Sequence, residues 1–171
     1  LREWVRRTGQ DMVYGYVPWH WGRRNGVGKD GRFVYEGGEL EVGELVGRGP
    51  YEELKVRLDE LMGIGREVGC GVEWALYNTP QLVMDGLGME KFFYSVKDRP
   101  GELRDWMERI DERVGKELEV ILEWPVEVVQ ISQPICDKNG PMLGEGELER
   151  FNLEYLDRRV ERIHGDGKLA S

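Results

Sequence analysis

Residues 100–132, "PGELRDWMERIDERVGKELEVILEWPVEVVQIS", decide the fold. Leu103, Met107, Ile110, Val114, Leu118 and Ile121 recur every three or four residues, and Arg and Glu fill the positions between them. That spacing predicts an amphipathic helix with one face on a core. Asp98 and Pro100 mark its start and Pro125 forces its end. Gly115 in its middle costs about 1 kcal/mol relative to Ala, which long apolar packing absorbs. The next residues, "VEVVQIS" (126–132), are β-branched and short, and read as a strand. A long helix that feeds a short apolar strand is one step of an alternating α/β chain.

The same alternation extends in both directions. Downstream, "QPICDKNGPMLGEG" (133–146) reads as a polar loop. "ELERFNLEYLDRRVERIH" (147–164) follows as a helix with Leu148, Phe151, Tyr155, Val160 and Ile163 inward. "GDG" closes it, and "KLAS" (168–171) reads as the first residues of a new strand. Upstream, "VGCGVEWALY" (68–77) is a short apolar strand. "TPQLVMDGL" (79–87) reads as a short helix, with Thr79 as N-cap and Pro80 at the first helical position. Residues 50–67 place Leu54, Leu58, Leu61 and Met62 on one helical face. "DMVYGYVPW" (11–19) reads as a buried strand closed by Pro18. "GRFVYEGGELEVGEL" (31–45) alternates on both sides of Gly37-Gly38, a hairpin signal. "REWVRRTG" (2–9) is a helix end capped by Gly9.

This order builds a parallel sheet with crossover helices. A (β/α)8 barrel and a doubly wound sheet both satisfy it. Four strands cannot close a barrel. The expected fold class is therefore α/β, a partial (β/α)8 TIM barrel of about four parallel strands with crossover helices and one β-hairpin excursion. On this reading residues 1–171 are one truncated barrel domain, since the chain opens inside a helix at Leu1 and stops as a strand begins.

Composition bounds the function. The 40% hydrophobic and 33% charged content fits a globular chain, and no apolar run is long enough to span a bilayer. A net charge of -9 argues against nucleic-acid binding, which needs a basic stripe. Cys70 and Cys136 are the only cysteines and lie far apart, so neither a disulfide framework nor a CxxC metal knuckle is expected. A reducing cytoplasm is the default location. The 24 glycines, about twice the usual share, sit between periodic segments as in a chain with many tight turns.

Active sites of parallel barrels lie at the C-terminal ends of the strands. Three segments qualify. In "VPWHWGRR" (17–24), His20 stands between Trp19 and Trp21 as a proton donor or ligand, with Arg23 and Arg24 to hold substrate carboxylates. The alternative is aromatic packing on the barrel rim. In "VEWALYN" (72–78), Glu73 is a carboxylate in an apolar strand and must face solvent, a partner or the site. After "VVQI", Gln133, Cys136, Asp137 and Asn139 cluster; Asp137 and Asn139 bind substrate or polarise water, or else form an Asx-turn. His164 reads as a helix C-terminal cap.

Three stretches together carry a resemblance: "LGMEKFFYSVKDRPGELRDWMERIDERVGKEL" (87–118), "VEVVQI" (126–131) and "ERFNLEYLDRRVERIHGDGKLAS" (149–171). In order and spacing they resemble the uroporphyrinogen decarboxylase (URO-D)-like superfamily. That superfamily has a (β/α)8 barrel and includes decarboxylases and zinc-dependent methyltransferases that move methyl groups between corrinoid proteins and thiols. The resemblance implies a small-molecule substrate, a corrinoid protein as partner, and Zn held by a His-x-Cys motif on the strand that begins at the chain's end, with ligands beyond Ser171. It aligns Gln133 with a position where the family often has Asp. It also sets Pro18 where the decarboxylase has its substrate-contacting Asp. Methyl transfer of the corrinoid/thiol type is therefore the expected activity. The alternatives are a cofactor-free carboxy-lyase using Arg23, Arg24 and His20, and a barrel that only binds a ligand or a corrinoid protein.

Overall fold

The computed structural model describes residues 12–16, 25–27, 33–35, 51–132 and 135–171. Strand β1 (Met12–Gly15) is followed by a two-stranded excursion, β2 (Asn25–Val27) and β3 (Phe33–Tyr35). Helix α1 (Tyr51–Val68) leads into β4 (Gly71–Tyr77). Helices α2 (Thr79–Leu87), α3 (Met89–Asp98) and α4 (Pro100–Leu122) precede β5 (Val128–Ser132). A small ribbon, β6 (Cys136–Asp137) and β7 (Gly140–Pro141), comes next. Helix α5 (Glu145–Leu148), a π-helical turn (Glu149–Leu153) and α6 (Glu154–Gly165) then lead to β8 (Leu169–Ala170).

The four main strands form one sheet in the order β1-β4-β5-β8, and every pairing is parallel. Tyr14 stands opposite Glu73, Glu73 opposite Val128, and Val128 opposite Leu169. The last residues extend the ladder, with Ser171 N–H donating to Val129 O at 3.1 Å and Ile131 N–H to Ser171 O at 2.8 Å. "KLAS" is thus the strand its sequence predicts. With helices between the strands, this is the α/β architecture of a partial barrel.

Helices α1, α4 and α6 pack on one face of the sheet. Val13, Val72, Trp74, Leu76, Val129 and Ile131 meet them and are buried. The predicted apolar face of α4 is correct residue by residue: Leu103, Met107, Ile110, Val114, Leu118 and Ile121 are all buried. Each such side chain contributes roughly 1.5–3 kcal/mol of burial. Gly15 lets this layer close on β1, because a Cβ there would lie 2.6 Å from Leu61 Cδ2 and 2.9 Å from the Trp74 ring.

Three sequence expectations need adjustment, and the Gly37-Gly38 hairpin and the Gly9 cap fall outside the described residues. β1 is not buried on both faces: Val13 is buried, but Tyr14 and Tyr16 are exposed, because the described helices cover only one side of the sheet. Asn78, not Thr79, caps α2; its side chain accepts from Thr79 N–H at 2.9 Å, which puts Pro80 one residue deeper in the first turn. Phe33–Tyr35 pairs antiparallel with the preceding Asn25–Val27. The loop after β5 contains the β6–β7 ribbon, turning through Lys138 and Asn139, with Gly140 at a φ of 122° that favours glycine. Among the described residues no helix is long and apolar enough to cross a membrane.

Candidate functional site

Side chains alternate along a strand, so the residues that do not meet the helices share the opposite face. On β1 and just past it these are Met12, Tyr14 and Tyr16; on β4, Glu73, Ala75 and Tyr77; on β5, Val128, Gln130 and Ser132. In a barrel this face would be the interior, and its upper end would be the mouth. Here it carries aromatic and polar groups. A cleft of about 170 Å³ opens on it, lined by Tyr14, Tyr16, Ala75, Leu76, Tyr77 and Ser132.

The cleft is ordered by its own contacts. Tyr14 Oη donates to Gln130 Oε1 at 3.0 Å, a bond that reaches across β4 from one strand to the next but one. The Tyr14 and Tyr16 rings stand 6.1 Å apart, tilted by 43°. Glu73 Oε1 accepts from Ser171 Oγ at 3.1 Å. Burial raises the Tyr14 phenol above its ordinary value, and the negative charge of Glu73 and the neighbouring Tyr16 add to the rise. Burial also raises Tyr77, followed by Tyr16, Tyr14 and Asp85. Asp85, on α2, is exposed as a residue, yet its carboxyl is partly withdrawn from water and is pushed up to about 6.

Behind the sheet a buried polar cluster fixes the segment that follows β4. Thr79 Oγ1 donates to Asp111 Oδ1 at 2.8 Å, and Asn78 Nδ2 donates to Asn152 Oδ1 at 3.3 Å. Arg159 Nη2 donates to the Asp111 carbonyl at 2.7 Å and also pairs with the Asp111 carboxylate. Asn78 and Thr79 are fully buried, so the chain leaving Tyr77 is held in one direction. The π-helical turn contributes by turning Phe151 and Asn152, adjacent in sequence, both inward.

Of the residues singled out from sequence, Glu73 is on the open face, but in the body of β4, roughly 13 Å below Tyr77 along the strand. Trp74 points the other way, into the core. Asp137 lies on β6, and Asn139 is exposed in the ribbon's turn. Cys70 is partly buried just before β4, and Cys136 is exposed. His20, Arg23, Arg24 and Gln133 lie outside the described residues. Sequence reading missed Tyr14, Tyr16, Tyr77, Gln130 and Asp85. The period-two pattern of "YGY", "EWALY" and "VVQIS" held the signal for all but Asp85. Among the described residues no group of three or more His, Cys, Asp or Glu side chains could hold a metal ion. The described side chains therefore do not make a zinc site.

The fold and the open strand face define the class: a parallel α/β chain of the barrel type. A methyltransferase from Methanosarcina mazei is similar in structure, with a TM-score of 0.66 at 12% sequence identity, over 92% of this chain and 50% of that one. At that identity the likeness establishes the fold, and the chain spans half the length of this neighbour. No family model and no curated protein matches the sequence.

Proposed function

We propose that the parent protein transfers methyl groups, with its substrate held on the open face of the sheet at the C-terminal ends of β1, β4 and β5. The observation that carries this reading is the cleft lined by Tyr14, Tyr16 and Tyr77, on a fold shared with a methyltransferase. A methyl acceptor such as a thiol must lose a proton as its bond to carbon forms. Asp85, on α2 and with its carboxyl pushed up to about 6, is the group assigned to take that proton near neutral pH. His20 and Asp137 as further proton-handling groups, and Arg23, Arg24, Gln133 and Asn139 as substrate contacts, belong to the same proposal. So do a corrinoid protein as methyl donor and a zinc ion elsewhere in the parent. The described open-face positions carry a carboxylate and phenols but no Lys or Arg, which favours methyl transfer over decarboxylation of a polycarboxylate.

The test is to mix the parent protein with methylcobalamin and a thiol, and to follow loss of the cobalt–methyl absorbance. Demethylation above the protein-free rate, slowed about tenfold or more by Asp85→Asn, is expected. Demethylation no faster than in buffer would reject the reading.

A further inference from the structure

We propose that the tyrosine cleft binds a methylated ammonium group. The geometry is that of a partial aromatic cage. Tyr14 and Tyr16 form two walls, their ring centres 6.1 Å apart and inclined by 43°, and Tyr77 lines the same cleft from β4. The faces of aromatic rings carry negative charge, and a cation within about 6 Å of a ring centre is attracted to it. The hydrogen bond from Tyr14 Oη to Gln130 Oε1 fixes one wall before any ligand arrives, so little ordering is required on binding.

The electrostatics point the same way. Glu73 stands beside Tyr14 in the ladder, and Asp85 acts on Tyr77 from α2. Burial is the larger cause of the raised Tyr14 and Tyr77 phenols, and Glu73 adds to the rise of the first and Asp85 to that of the second. Arg57 lines an adjoining cleft beyond Tyr16 and is flanked there by Glu53 at 4.0 Å and Glu60 at 3.8 Å. The cleft's lining offers phenols and a hydroxyl and no Lys or Arg to hold an anion, and among the described residues there is no ligand cluster to hold a bare metal ion. A methylated ammonium is large, weakly hydrated and positively charged, and suits the faces of such rings. As a substrate class this deepens the methyl-transfer reading and rests on it, whereas the binding itself does not.

Calorimetric titration with choline, and with its uncharged carbon isostere in which tert-butyl replaces trimethylammonium, tests the cleft directly. Choline is expected to bind saturably and about tenfold more tightly than the isostere. Tyr16→Leu should weaken choline about tenfold, and Tyr16→Phe should hold it within about twofold, since the ring and not the hydroxyl is the partner. Equal binding of choline and isostere, no saturable choline binding, or an unchanged affinity in a folded Tyr16→Leu variant would each overturn the assignment. Choline binding without methyl transfer to any acceptor would leave the cage standing and remove the enzymatic reading. Methyl transfer without choline binding would do the reverse.

Discussion

Asp85 shows how one side chain ties the site to stability. Its carboxyl is raised from an ordinary value of 3.8 to about 6 by burial. The folded protein therefore holds the proton more tightly than the unfolded chain between those values, and stability falls as pH rises through that window. Asp85→Asn removes the charge that is partly withdrawn from water. The variant should melt above the parent at about pH 7.5, and the difference should vanish below about pH 4. A gap that stays constant, or widens toward acid, would show that Asp85 is not withdrawn from water as described. The residue was not legible in the sequence, because "VMDGL" gives no sign that the carboxyl is partly withdrawn from water. The tyrosines were legible in principle. Reading "VYGYV" as uniformly buried hid the alternation that places Val13 on one face and Tyr14 and Tyr16 on the other.

Among the elements, α4 and α6 are joined by more than apolar packing. Arg104 makes two bonds to Glu154, at 2.8 and 2.9 Å, and Arg162 makes two to Glu119, at 2.7 and 2.6 Å. Arg158 bridges Glu108 and Asp111. These outer pairs are partly exposed and contribute little singly. Asp111 and Arg159 differ, with exposures of only 8% and 7%. Removing one partner leaves a buried charge with fewer contacts, so Arg159→Met should destabilise by about 3 kcal/mol in denaturant unfolding. Adding Asp111→Leu to that variant should recover a large part of the loss. If the double variant is no better than the single, the pair is not the source of the effect. The helices themselves were read correctly because their apolar spacing is long and regular. The role of Arg159 was not, since on a helical wheel it looks like one more surface arginine beside Arg158. The π-helical turn also escaped notice, because it adds no residue type that marks it.

At the scale of the whole molecule, four parallel strands carry helices on one side and, among the described residues, leave the other side of the sheet open. The strand–helix order in the sequence was enough to predict that sheet, since each strand is followed by a helical pattern and no hairpin joins the main strands. The order could not separate a barrel from a doubly wound sheet. Described helices that cover one face only, together with the likeness to a methyltransferase structure, favour the barrel. The candidate site was less legible than the fold: of the residues first named, Glu73 alone is seen on the open face, and the cleft is built by tyrosines contributed from two strands. The most direct measurement is nuclear magnetic resonance of tyrosine-labelled protein during choline titration. Tyr14, Tyr16 and Tyr77 should shift together with one dissociation constant, while Tyr155, buried between α4 and α6, and Tyr94, exposed on α3, stay in place. Shifts at Tyr94 or Tyr155 with the three cleft tyrosines unmoved would contradict the account.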